Sequence, residues 1–213
     1  MSIFNNPDFY PTPLETIQRM LQGVNLLDKV VLEPSAGKGD ILDYLNDIGA
    51  NTVFCETSKE LAQISSQKAT FLHSDFLEVT PDQISHIDYL VGNPPFSKDV
   101  EHIQHAWDIC PDGCTIIMLC NWESIDNTYS RSRSRLKTLI QENGTSENLG
   151  NVFSTAERKT DVEIGLVILF KPQIGESEFD GYFDMFEDAE NFTENGLIPH
   201  NEVVEVVNRG RHL

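Results

Sequence analysis

The chain has 213 residues, with 34 acidic against 15 basic side chains and a formal net charge of −19. That length suits one α/β domain with a sizeable core, and leaves little room for a second. A body so acidic works against tight phosphate binding. No run reaches the ~20 apolar residues that cross a bilayer, and no basic-then-apolar leader is seen, so a cytoplasmic protein away from membranes is expected.

The predicted elements alternate. Pro11 and Pro13 keep the segment around Tyr10 extended, and a helix follows from Leu14 to Gln22. Lys29–Leu32 reads as a buried strand, Lys38–Asp47 as a helix, Thr52–Cys55 as a strand, Lys59–Ser66 as a helix and Thr70–Leu72 as a strand. Ile87–Val91 is a strand, Asp99–Ile109 a helix, Thr115–Leu119 a strand and Ser134–Glu142 a helix. Val162–Phe170 is a long β-branched strand stopped by Pro172. Such alternation predicts a doubly wound, mostly parallel sheet, which binds ligands at the carboxyl ends of its strands. The domain is expected over residues 1–172. Residues 173–213 form an acidic C-terminal segment, read as a cap or tail; its positions 173–202 hold nine acids and neither Lys nor Arg.

Cys55, Cys110, Cys114 and Cys120 show no C-x-x-C spacing and are expected as buried free thiols. No metal site is expected. His102 and His105, three apart on a helix, are the only candidate partners for a thiolate site.

Glu33-Pro34-Ser35-Ala36-Gly37-Lys38-Gly39-Asp40 follows the first strand. Its glycines allow a tight turn and close approach of a ligand. It is not a phosphate loop: Leu32 stands where that motif needs Gly, and Gly39 replaces the Ser or Thr after the lysine. Glu33 sets a negative charge where a pyrophosphate would sit and suits an ammonium better. Glu56, 17 residues after Gly39 at the end of the second strand, is placed to accept from ribose hydroxyls. Together they describe a pocket for a nucleoside with an amino-acid tail, as in S-adenosylmethionine.

Asn93-Pro94-Pro95-Phe96 follows the strand Ile87–Val91. Consecutive prolines stiffen the backbone and remove its donors. The Asn93 side-chain oxygen and the Pro94 carbonyl can then accept from one amino group, while Phe96 offers a face for a base. Two acceptors on an aromatic amine localise its lone pair for in-line attack. Methylation at a base carbon would need a Pro-Cys nucleophile pair, and none occurs.

With these motifs in order, the chain resembles the class I S-adenosylmethionine-dependent methyltransferases, in particular the N6-adenine DNA group with an Asn-Pro-Pro-Phe tetrad. Tyr10-Pro11-Thr12-Pro13 looks like that family's N-terminal cofactor motif, and Glu33 to Gly39 like its first cofactor loop. Glu56 looks like its ribose-binding acid, and Asp75-Phe76 like the pair around the cofactor adenine. The resemblance covers about residues 8–172 and implies a seven-stranded sheet with the last strand antiparallel. It also implies a role at the target base for the loop Ala156 to Thr160, with Arg158 and Lys159. It departs from the DNA members in lacking room for a recognition domain after Pro172 and in its acidity. Weak DNA binding, with sequence choice lent by a separate specificity subunit or domain as in restriction-modification systems, follows from those departures.

Arg131, Arg133, Arg135 and Lys137 crowd into one stretch and are candidate phosphate contacts beside the tetrad. The same tetrad also serves methylation of RNA adenine or a protein glutamine amide. A reading from another class is a non-catalytic cofactor-binding partner subunit or an acidic decoy.

Overall fold

The computed structural model describes residues 10–153 and 162–173. Contacts divide the chain into Met1–Pro172 and Gln173–Leu213; the second unit, apart from Gln173, lies outside the described residues.

The elements are α1 (Leu14–Met20), β1 (Val30–Glu33), α2 (Asp40–Asp47), β2 (Asn51–Cys55), α3 (Lys59–Ser65) and β3 (Thr70–His73). Then come β4 (Tyr89–Gly92), α4 (Asp99–Ile109), β5 (Thr115–Asn121), the short α5 (Glu123–Asp126), α6 (Arg131–Asn143), β6 (Gly144–Gly150) and β7 (Ile164–Phe170). One seven-stranded sheet has the order β3-β2-β1-β4-β5-β7-β6. β1 to β5 pair in parallel, and β7 runs antiparallel between β5 and β6. This is the doubly wound sheet that the alternation and the resemblance imply.

Both faces of the sheet are covered, so its central strands are continuous apolar runs. Alternate residues of β5 serve opposite layers. Ile116, Met118 and Cys120 join Ile103 and Ala106 of α4 and Leu136 and Ile140 of α6. Ile117 and Leu119 join Ile17 and Met20 of α1 and Ile41 and Leu45 of α2. All four cysteines are free and buried; burial pushes the Cys55 thiol up to about 12. His102 and His105 flank the Phe76 ring, at 5.7 and 5.1 Å between centroids. The described residues contain no group of three or more possible metal ligands.

Most boundaries shift by one to three residues from expectation, and one strand and two helix starts differ for a clear reason. β6 is absent from the predicted pattern: its sequence GTSENLG is polar, and Leu149 alone is buried. It pairs with β7 only, as an edge strand, so it has no second neighbour to demand apolar residues. Helix α6 begins at Arg131 rather than Ser134, because Ser130 caps it by accepting from the Arg133 N–H. Helix α2 begins at Asp40 rather than Lys38, because Gly39 is left-handed with φ 87°.

Candidate active site

The glycine turn is held from outside itself. Gly37 and Gly39 have φ of 57° and 87°, a region that suits glycine. Ala36 N–H donates to the Cys55 carbonyl at 3.0 Å, and Gly37 N–H to Glu56 Oε2 at 2.8 Å. The Ser65 hydroxyl donates to the Gly37 carbonyl at 3.0 Å. Lys68 Nζ donates to the Lys38 carbonyl at 2.8 Å and pairs with Asp43 at 2.7 Å. A Cβ on Gly39 would lie 2.9 Å from Lys68 Cδ, so the lysine is stacked against the turn. Neither Ser65 nor Lys68 belongs to a motif, and local sequence gives no sign of either.

Glu33 ends β1 with 2% of its surface exposed. Its Oε2 has no hydrogen-bond partner among the described residues. Burial pushes its carboxyl well above the usual range, and the charges of Asp40 and Glu56 push the same way. Glu56 is firmly oriented, since its other oxygen accepts from the Ser58 N–H at 2.8 Å. Asp75 accepts from Leu77 N–H at 2.9 Å, which caps the 3₁₀ turn Phe76–Glu78.

The tetrad begins where β4 ends. Gly92 lets the two motifs touch: a Cβ there would stand 2.7 Å from Pro34 Cδ. Asn93 Nδ2 donates to Thr12 Oγ1 at 3.1 Å and to the Tyr10 carbonyl at 3.3 Å. Asn93 Oδ1 is buried and has no partner among the described residues. The Pro95 carbonyl accepts from Lys98 N–H at 2.8 Å, closing the turn into α4. The Phe96 ring leans on Tyr10 at 5.4 Å and meets Phe153 edge-on at 5.9 Å.

These groups share one cleft of about 230 Å³. Tyr10 and Thr12 line it with Glu33, Pro34, Ser35, Ala36 and Gly37, and so do Glu56, Asp75, Phe76, Asn93 and Pro95. Pro13 does not line it, because it is the residue that caps α1. Gly39 does not, because its left-handed backbone serves the entry to α2. Pro94 is buried and lines neither this cleft nor its neighbour. Phe96 lines instead an adjoining depression of about 250 Å³.

Several lining residues were not expected at the cleft, among them Asp40, Lys98 and His102. His102 is 5% exposed and stacks on Phe76. Its Nδ1 lies 3.0 Å from the Lys98 carbonyl, which accepts, so Nδ1 carries the proton. Burial holds its basicity below the ordinary histidine range. The i, i+3, i+4 pattern of α4 marks His102 as inward-facing, but nothing local says that its face meets a cleft.

The basic stretch does not form one patch. Successive odd positions on a helix point about 200° apart. Arg131 and Arg135 therefore share one side, and Arg133 and Lys137 the other. Arg135 pairs with Asp108 of α4 at 2.6 Å. Arg133 donates to the Glu123 and Asn127 carbonyls at 3.3 and 3.4 Å, tying down the loop before α6. Arg131 and Lys137 are exposed. Arg158 and Lys159 lie outside the described residues.

No protein-family model matches the chain, and no curated protein matches it. Solved structures do match in fold. A chain assigned as the modification subunit of a type I restriction enzyme from Vibrio vulnificus aligns with a TM-score of 0.63 at 13% identity; the match covers 92% of this chain and 55% of that one. The 23S rRNA methyltransferase ErmE aligns with a TM-score of 0.59 at 19% identity, over 84% of this chain and 78% of its own. A protein from Pyrococcus horikoshii assigned as an RNA methyltransferase gives 0.58 at 17%, over 80% and 92%. The chain thus has the Rossmann-like sheet found in methyltransferases.

Proposed function

We propose that the chain transfers a methyl group from S-adenosylmethionine to the exocyclic amino group of a nucleobase, adenine N6 in DNA. The observation that carries this is a pair of buried acceptors without partners among the described residues, Glu33 Oε2 and Asn93 Oδ1, on residues that line one cleft. A buried carboxylate without a partner is costly, and an ammonium beside it removes that cost. A buried amide oxygen without a donor calls equally for an N–H.

The residues fit the cofactor. Glu33, with Asp40 nearby, would hold its amino group; Glu56 would accept from its ribose hydroxyls; Asp75 and Phe76 would border its adenine. When bound, S-adenosylmethionine supplies an electrophilic methyl group on a sulfonium. Asn93 would accept from the acceptor amine and orient its lone pair, with Pro94 and Pro95 holding the backbone rigid. Phe96 would offer its face to the base. The protein's contribution is positioning and charge placement.

A base inside a duplex is stacked and paired, so it must be flipped out or presented on a single strand. DNA is the proposed partner, bound weakly by this chain alone, with a separate specificity subunit or domain supplying sequence choice. Labelled S-adenosylmethionine incubated with DNA, RNA and protein acceptors, followed by nucleoside and amino-acid analysis, tests the assignment. Label in N6-methyladenine from DNA is the expected result. Label in RNA adenine or in a glutamine amide would move the assignment to that acceptor, and no label in any would end it.

A further inference from the structure

We infer that the acceptor is a single-stranded nucleic acid, held next to the tetrad by stacking of a neighbouring base on Tyr129. The inference rests on the methyl-transfer reading for the position of the target, and adds how the strand is gripped.

Tyr129 is 94% exposed, far beyond the other large hydrophobic side chains among the described residues, the next of which, Leu27, is 59% exposed. Its loop is nevertheless anchored. Arg133 donates to the Asn127 carbonyl at 3.4 Å, and the Ser134 hydroxyl donates to the Thr128 carbonyl at 3.3 Å. Ser130, the next residue, caps α6. The ring is thus presented to solvent from a backbone fixed on both sides, so little ordering entropy opposes stacking on it. Ser130 also lines the depression that Phe96 borders. The Tyr129 backbone therefore stands one residue from the depression that Phe96 borders.

The charges around this surface favour a strand held by its bases. Lys98 and Arg133 line the depression, and Arg131 is exposed next to Ser130. Glu101 and the buried Asp99 line it too, but Asp99 is spent internally on the Asn121 N–H at 2.8 Å and the Ser124 hydroxyl at 3.0 Å. Arg135 is spent on Asp108. Among the described residues few cations thus remain at this surface to track a backbone, and the whole chain has a net charge of −19. A duplex carries one charge per ~1.7 Å and would be repelled by that body. A single strand offers unstacked bases, and each base stacked on an aromatic ring is held without needing phosphate contacts.

Fluorescent oligonucleotides of ~12 nucleotides, long enough for such a site, serve as probes: single-stranded DNA, single-stranded RNA and duplex DNA. Anisotropy is read with the full-length protein at low and moderate salt. Single strands should bind more tightly than duplex, with a shallow salt dependence; the DNA and RNA arms show which sugar is preferred. Tyr129→Ala should weaken single-strand binding about tenfold while Tyr129→Trp retains it. Thermal melting and S-adenosylmethionine affinity should not move in either variant. Tighter duplex binding, equal binding by wild type and Tyr129→Ala, or absence of oligonucleotide binding with methylation of a peptide amide would each overturn the inference. DNA methylation together with Tyr129-independent binding would sink this inference and leave the methyl-transfer reading standing. Tyr129-dependent binding with no methyl transfer to any acceptor would do the reverse.

Discussion

Thr12 Oγ1 accepts a hydrogen bond from Asn93 Nδ2 at 3.1 Å, while the Tyr10 carbonyl accepts from the same nitrogen. A carbonyl oxygen cannot donate, so the amide can sit only one way round. The oxygen is left buried and without a partner among the described residues. Tyr10 and Thr12 thus decide which end of Asn93 an acceptor amine meets.

Thr12→Val keeps the shape and removes the hydroxyl. Methyl transfer should fall about tenfold, the loss expected when about 1.4 kcal/mol of transition-state positioning goes. Thr12→Ser should restore it. Asn93→Ala should cost on the order of 10²–10³ in turnover, as for loss of one preorganised polar contact. Radiolabel transfer and calorimetric titration of the cofactor separate turnover from binding. An Asn93→Ala protein with undiminished transfer would remove the proposed role, and a module that only binds cofactor would be indifferent to the change.

Glu33 predicts a pH dependence with a definite sign. Burial first, and then Asp40 and Glu56, keep its carboxyl protonated above the ordinary range. A cationic amino group selects the ionised form, so binding should release a proton. Cofactor affinity should therefore rise with pH up to the folded value of Glu33 and then level. Folding stability runs the other way. Above ~4.3 the unfolded chain has lost a proton that the native state keeps. Glu33 thus makes stability fall as pH rises from there through its folded value. Glu33→Gln should abolish both trends. Calorimetry in buffers of different ionisation enthalpy checks the first, and melting curves across pH the second.

Gly92→Ala should disturb two motifs at once. The added carbon would lie 2.7 Å from Pro34 Cδ and 2.9 Å from Cγ, on a ring that cannot swing away. A cost of about 1–3 kcal/mol is expected for such overpacking, with weaker cofactor binding because Pro34 leads into the glycine turn. A melting point and a cofactor affinity both equal to wild type would refute the contact.

Lys68→Met keeps the aliphatic stem and removes the bonds to the Lys38 carbonyl and Asp43. Cofactor affinity should drop about tenfold, the equivalent of a hydrogen bond to a charged group, with little change in melting because Asp43 is half exposed. Unchanged affinity would mean that the turn keeps its shape unaided.

The sheet's centre was legible because strands buried on both faces, such as Thr115–Asn121 and Ile164–Phe170, are written in continuous apolar residues. The cleft's main residues were legible because the motifs follow β1, β2 and β4, whose carboxyl ends converge. β6 was not, since an edge strand needs only backbone pairing. The first turn of α6 was hidden because Leu136 is its first buried apolar residue. Lys68, Thr12's hold on Asn93 and the Gly92–Pro34 contact are encounters between distant segments. The basic run is divided in another way: neighbours in sequence are turned apart by the helix.

The hold of Tyr10 and Thr12 on Asn93 spans 83 and 81 residues of chain. A ribosome makes the clamp long before it makes the amide being clamped. Until β4 has been synthesised and paired, the earlier segment has nothing to grip and the later oxygen has no fixed aim. The nascent polypeptide would stay inert through that interval, and the onset of methyl transfer during translation would report when the two segments first meet.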